Sequence, residues 1–188
     1  MKSEHIYIAE GIVLKRRNTG EADRILTVFT KKYGKIRVIA KGIRKITSRR
    51  SGHLEIFNNV MLTLHQHGQL DIVTEAQSWR SRRFDSDVGC IGYAYCMSEL
   101  VDQLLPERQE HEDIFILLRD GLASLQQTND VSSWQAVMTH FIHELLWKLG
   151  FLASSRRLPT DEIQPYIEQI TERHLRTWPL LTVLTRSS

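Results

Sequence analysis

The spacing of apolar residues changes once along this chain, and the change divides it in two. Between residues 6 and 76 apolar side chains recur at every second position: Ile6 and Ile8, Ile12 and Leu14, Leu26 and Val28, Ile36 with Val38 and Ala40, Val60 with Leu62 and Leu64, Leu70 and Ile72. Alternation of this kind marks half-buried strands. Turn residues interrupt it at Asn18-Thr19-Gly20, Tyr33-Gly34 and His67-Gly68. Five strands are predicted, at 5–16, 23–31, 35–42, 55–66 and 69–77. Residues 42–52, long, basic and polar, read as a flexible loop or a short helical link. Five short strands in so few residues protect their edges best by closing into a small barrel, OB-like as first choice. An SH3-like barrel has a similar strand count, and spacing does not separate the two.

Beyond Phe84 the apolar spacing becomes three and four, which predicts helices. Val88, Ile91, Met97, Leu100, Val101, Leu104 and Leu105 form one face, ended by Pro106, and Ile114, Leu117, Leu118, Leu122 and Leu125 form a second. A third helix is expected to open at Ser132, with Gln135 completing a capping box, and to stop at Gly150. Ile163, Ile167 and Ile170 mark a fourth, in which Pro165 must lie in the first turns or precede the start. The apolar stretch from Trp178 to Leu184 is expected to dock on this bundle. The fold class is therefore α+β, multidomain: a five-stranded OB-like barrel over residues 1–78, then an all-α domain over 79–188.

Charge divides at the same place. Residues 1–83 hold 17 Lys and Arg against 7 Asp and Glu, whereas residues 84–188 hold 8 against 15. The overall net charge of +3 hides a basic barrel beside an acidic bundle. A basic module of this size points to a polyanion such as nucleic acid. No apolar run reaches the roughly 20 residues that span a bilayer, and residues 1–9 lack a signal-peptide core, so a soluble, unexported protein is expected. Cys90 and Cys96 stand six apart on one helix, on different faces, which suits a reducing cytoplasm.

Catalytic patterns fail on inspection. Gly34-Lys35 lacks the upstream glycine and following Ser or Thr of a nucleotide phosphate loop. His140, His143 and Glu144 stand in neither order of a zinc-protease helix, and His65 with His67 make only two ligands. The acidic groups Glu21/Asp23 and Glu110/Glu112/Asp113 fit a solvated turn and a helix start. No enzyme activity, metal or cofactor is expected. Placed charge is the stronger signal. With Ile36, Val38 and Ala40 inward, Lys35, Arg37 and Lys41 share the outer face of the third strand, and Arg44, Lys45, Arg49 and Arg50 continue the run. Arg16 and Arg17 join it from the end of the first strand. Such a stripe follows phosphates without reading bases. Tyr7, Phe29, Tyr33 and Phe57 are the candidate base-stacking rings, with Phe29 better suited to the core.

Several segments together resemble the RecO family of bacterial recombination mediators. They are Glu10-Gly11-Ile12-Val13-Leu14, Gly20-Glu21-Ala22-Asp23-Arg24, Phe29-Thr30 with Tyr33-Gly34-Lys35, Ala40-Lys41-Gly42-Ile43-Arg44 with Ser48-Arg49-Arg50, and Leu70-Asp71-Ile72-Val73-Thr74-Glu75-Ala76. In the helical half they are Glu99-Leu100-Val101-Asp102, Leu105-Pro106-Glu107, and Leu145-Leu146-Trp147-Lys148-Leu149-Gly150-Phe151. The resemblance implies an N-terminal OB fold and a helical domain. It implies a cytoplasmic, nucleoid-associated mediator of DNA repair and recombination that binds single- and double-stranded DNA and anneals strands without ATP. Its implied partners are RecR, the C-terminal tail of single-strand-binding protein, and RecA, whose loading it assists. The DNA-binding role carries over by position to Lys35, Arg37, Lys41, Arg44, Arg49 and Arg50. If the tail's groove is kept, Arg156, Arg157, Arg173 and Arg176 near Trp147, Phe151 and Trp178 are its expected lining, since an acidic tail with an apolar end suits a greasy pocket rimmed by cations. Many members follow Leu-Gly-Phe with a four-cysteine zinc module, but here Ser154-Ser155-Arg156-Arg157 carries no cysteine, so no zinc is expected. The competing reading is an adapter whose basic face meets an acidic protein.

Overall fold

Five strands form: β1 (Ile6–Thr19), β2 (Asp23–Thr30), β3 (Gly34–Ala40), β4 (Asn59–His65) and β5 (Asp71–Ser78). The computed structural model describes residues 5–45, 48, 50–79 and 88–179. Antiparallel pairings join β1 to β2 and β4, β2 to β3, and β4 to β5. A short parallel pairing, Val38↔Asp71 and Ile39↔Ile72, completes a closed barrel in the order β1-β2-β3-β5-β4. That crossover between β3 and β5 is the connectivity of an OB barrel, and it settles what strand spacing left open.

The barrel interior is apolar: Ala9, Val13, Leu26, Val28, Ile36, Val38, Ala40, Val60, Leu62, Leu64 and Val73, with Ile43 and Leu54 from the β3–β4 connection. Burial of each such Val, Leu or Ile contributes roughly 1.5–3 kcal/mol. The alternation predicts the interior of β2, β3 and β4 correctly and misplaces parts of β1 and β5. On β1 the inward residues are Tyr7, Ala9 and Val13, while Ile6 and Ile8 lie outside and exposed. A bulge between Val13 and Lys15 then reverses the phase, so that Val13 and Leu14 are both buried. On β5, Asp71 and Val73 are buried and Ile72 is only half-covered, so a carboxylate occupies a place that the spacing assigns to an apolar residue.

Two boundaries also differ. β1 runs on to Thr19, pairing with Asp23, so Arg16 and Arg17 lie within the strand. β4 starts at Asn59 because Phe57 takes φ 72° and the Asn58 amide donates to the carbonyls of Gly52 and His53, both at 3.1 Å. The connection from β3 to β4 is accordingly held in its described residues. Ile43 and Leu54 are sunk in the barrel, and Arg50 is bound to three carbonyls.

By Cα proximity the chain divides into two units, and Leu105–Phe115 belongs with the barrel. This strap covers an outer face. Phe115 packs on Phe29, with ring centroids 6.1 Å apart, so Phe29 is buried as expected but on the outside of the barrel. Lys31 pairs with Glu112 at 3.1 Å, and Arg108 N–H donates to the Lys35 carbonyl at 2.9 Å. Gly34 makes the approach possible: at φ 64°, a Cβ there would lie 2.1 Å from the Gln109 carbonyl oxygen.

The other unit is helical: α1 (Val88–Leu104), α2 (Glu112–Leu125, from Ile116 onward in this unit), α3 (Val131–Lys148) and α4 (Thr160–Thr171). Cys96, Met97, Leu100 and Val101 of α1 and Phe141, Leu145 and Leu146 of α3 are buried. The start of α3 departs from the sequence reading. Its N-cap is Asp130, which accepts from Ser133 N–H at 2.8 Å, and Ser132 lies inside the helix. Asp130 accepts from the third N–H of the helix, that of Ser133, whereas a box opened by Ser132 would have placed that acceptor on the Gln135 N–H. Pro165 sits within α4, between Ile163 and Ile167. Trp178 is buried and Pro179 is exposed, while residues 180–184 of the expected docking stretch lie outside the described residues. Among the described residues no helix is long and apolar enough to cross a membrane.

Candidate nucleic-acid interface

Strand pairing fixes which cations share a surface, because directly paired residues point to the same side of a sheet. Across β1, β2 and β3, two outward rows are Lys15–Thr27–Arg37 and Arg17–Ile25–Ile39. Lys15, Arg17 and Arg37 are exposed, and Thr27, Ile25 and Ile39 between them are half-covered. Lys15 and Arg37 are separated by the width of one strand, about 10 Å across two strand spacings. Continued from Tyr7, Ala9 and Val13, a two-residue period would turn Lys15 inward, and the bulge between Val13 and Lys15 turns it out. The signal for it was three consecutive apolar residues, Ile12-Val13-Leu14, which a two-residue period cannot bury without a bulge.

Where β3 ends, the turn 41–45 continues this surface. Gly42, at φ 65°, donates its N–H to Asp23 Oδ1 at 2.7 Å, and Arg44 N–H donates to the Ala22 carbonyl at 2.9 Å. Both bonds tie the turn to the β1–β2 hairpin. Because Ile43 is drawn into the barrel, Lys41, Arg44 and Lys45 are left exposed on the rim. Among the described residues, Arg17, Arg37, Lys41, Arg44 and Lys45 form no ion pair.

Three expected members are placed differently. Lys35 points outward in register, yet only 7% of it is exposed, because Glu107 and Arg108 lie along it. Arg16 is paired with Glu55, which Arg24 also reaches at 3.3 Å, so one carboxylate offsets two guanidinium groups. Arg50 is spent on backbone: it donates to the carbonyls of Val73 (2.6 Å), Thr74 (3.3 Å) and Lys41 (2.9 Å). Its charge remains, but most of its donors are taken. Arg49 lies outside the described residues.

Of the expected stacking rings, Tyr7 and Tyr33 meet edge to face with centroids 4.8 Å apart at the other end of the barrel. Tyr7 donates its hydroxyl to the buried Asp71 at 2.6 Å, and Arg108 lies 3.6 Å from the same oxygen. Burial, then the hydrogen bond and charge of Asp71, push the Tyr7 hydroxyl well above the usual tyrosine range. Trp79, absent from the sequence list, is the more open ring, 56% exposed at the end of β5. Its place next to the basic run Arg80, Arg82 and Arg83 was the available signal.

In the helical unit a cavity of about 1120 Å³ has a floor of Tyr93, Met138, Ile142, Ile163 and Trp178, with Arg157 and Asp161 also lining it. Of the seven residues expected for a partner's tail, Arg157 and Trp178 line this cavity. Trp147 and Phe151 are exposed, Lys148 lies over the Trp147 ring, and Arg156 lies over Tyr166. Arg173 and Arg176 are exposed, and Arg176 N–H donates to Glu99 at 3.0 Å. His143 is a structural residue. Its Nε2 accepts from the Leu158 N–H at 3.0 Å, which leaves the proton on Nδ1 to be donated to the Thr139 carbonyl at 2.7 Å.

Comparison with known proteins gives two tandem matches: recombination protein O N terminal over residues 1–82 and recombination protein O C terminal over residues 86–157. A DNA repair protein RecO of Roseiflexus sp. (strain RS-1) is 36% identical over 149 residues, 79% of this chain and 51% of that protein. Those of Pelotomaculum thermopropionicum and Heliobacterium modesticaldum are 36% and 39% identical over 121 and 117 residues, 64% and 62% of this chain and 47% and 42% of theirs. The chain spans about half the length of the curated relatives it matches. An OB barrel followed by helices, matched in order by both halves of one family, places this chain in the RecO (recombination protein O) family.

Proposed function

We propose that this chain acts in DNA repair and homologous recombination by binding single- and double-stranded DNA through phosphates, without regard to sequence. The observation that carries the reading is the set of exposed cations Arg17, Arg37, Lys41, Arg44 and Lys45 on the outer rows and rim of the barrel, none in an ion pair among the described residues. Held on one rigid surface, they repel one another until an anion arrives. Neutralising two strands' phosphates lowers the repulsion that slows pairing, so annealing needs no ATP. In the same reading RecR and RecA act with the DNA-bound protein. The cavity beside Trp178 and Arg157 supports a peptide partner with an apolar end, such as the tail of single-strand-binding protein.

Binding measured across a salt series tests this. Five phosphate contacts give a slope of log K against log salt of roughly −3.5 for single strands and −4.5 for duplex. A slope near zero, or no binding, overturns it. Annealing of complementary oligonucleotides without nucleotide is the accompanying functional assay.

A further inference from the structure

We infer that Trp79 is a base-stacking platform that gives the basic barrel a grip on unpaired strands beyond their phosphates. The inference rests on the DNA-binding reading above and adds a second kind of contact to it. Cations alone hold single and double strands alike, since both present phosphates, whereas only an unpaired base can leave its neighbours and lie on a protein ring. Trp79 is 56% exposed, so its ring is open to a base.

Its position is fixed from behind. Trp79 N–H donates to the Asn59 carbonyl at 3.4 Å, and the preceding Ser78 is held through its N–H (3.2 Å) and hydroxyl (2.9 Å) by His53 Nδ1. His53 belongs to the same β3–β4 connection that supplies Lys41, Arg44 and Lys45, so the ring and the rim cations stand at one end of one barrel. Arg50 bridges them. It joins the carbonyl of Lys41, at the end of β3, to those of Val73 and Thr74 on β5, the strand that ends at Ser78. A strand neutralised on the rim can thus reach the indole within a few nucleotides.

The test compares the full-length wild type with Trp79→Leu and Trp79→Phe, using a labelled single-stranded oligonucleotide and a duplex of equal length. Trp79→Leu is expected to weaken single-strand binding roughly 5- to 100-fold. Duplex affinity and the salt slope stay as in the wild type, and Trp79→Phe retains most of the affinity. Single strands should also quench wild-type tryptophan fluorescence, and that quench should be lost in Trp79→Phe although three tryptophans remain. The quench serves if Trp79→Leu does not fold. Unchanged single-strand binding in Trp79→Leu, equal losses on both substrates, or an unaltered quench in Trp79→Phe would overturn the inference while leaving phosphate binding intact. Absence of salt-dependent binding by the wild type would overturn the underlying reading as well.

Discussion

Arg50 donates to the carbonyl of Val73 at 2.6 Å, and through its other terminal nitrogen to that of Lys41 at 2.9 Å. A residue that belongs by sequence to the basic run thus ties the end of β3 to the first half of β5. Its replacement by alanine should cost about 1–3 kcal/mol, since it takes this donor from the partly buried Val73 carbonyl and frees the Lys41 end of the clip. Urea unfolding of Arg50→Ala would show it as a lowered midpoint, together with weaker DNA binding. An unchanged midpoint would mean that the clip carries no stability.

Removing rim cations should do the opposite. Lys41, Arg44 and Lys45 project from a turn anchored by Ile43 and by backbone bonds that their side chains do not make. The triple alanine variant should melt with the wild type. Its salt slope on single strands should be shallower by about 2, as expected for three lost phosphate contacts. Full affinity in the folded variant would contradict the assignment of these residues.

Tyr7→Phe removes the hydroxyl that donates to buried Asp71 and should cost about 1–3 kcal/mol. The bond also carries a pH signature. Because the folded-state pKa of Tyr7 is raised, its contribution is complete below the unfolded tyrosine value of about 10 and is lost as pH rises through the folded value. Wild type and Tyr7→Phe should therefore converge in stability under strongly alkaline conditions, which chemical denaturation above pH 10 can follow. A gap that stays constant would rule the bond out as its source.

Asp130 gives the reverse sign. The hydroxyl and N–H of Ser133 hold its carboxyl below the usual aspartate range, so its support of α3 is present above the unfolded value and fades as pH falls through the folded one. Asp130→Ala should be less stable than wild type at neutral pH and equal to it in acid. Comparison of melting curves at both pH values decides the point.

His143→Ala should free the segment after α3, because the buried Leu158 N–H loses its acceptor. The expected cost is about 1–3 kcal/mol. Tryptic cleavage at Arg156 and Arg157 should accelerate, and a wild-type digestion rate would show that the imidazole does not hold the segment.

What the sequence makes legible follows from where alternation is the whole story. On β3 it is: Ile36, Val38 and Ala40 face in, and Arg37 faces out. It fails on β1, where the bulge before Lys15 changes phase, and on β5, where Asp71 is admitted because Tyr7 and Arg108 meet its charge. Neither event is local, since each depends on partners far along the chain. The same limit explains Lys35 and Arg16. Their exposure depends on a strap some seventy residues later and on Glu55, neither of which a period of two can foresee. Trp79 lies just beyond the predicted strand 69–77, where alternation assigns it no face.

The strap that covers Phe29 has a bearing on biogenesis. The first β-module borrows Leu105–Phe115 from beyond a helix of the second unit, so its outer layer is discontinuous in the polypeptide. During synthesis, Phe29 has no Phe115 to meet until that later stretch has left the ribosome. A nascent chain paused between the two would show an unfinished, sticky flank to chaperones.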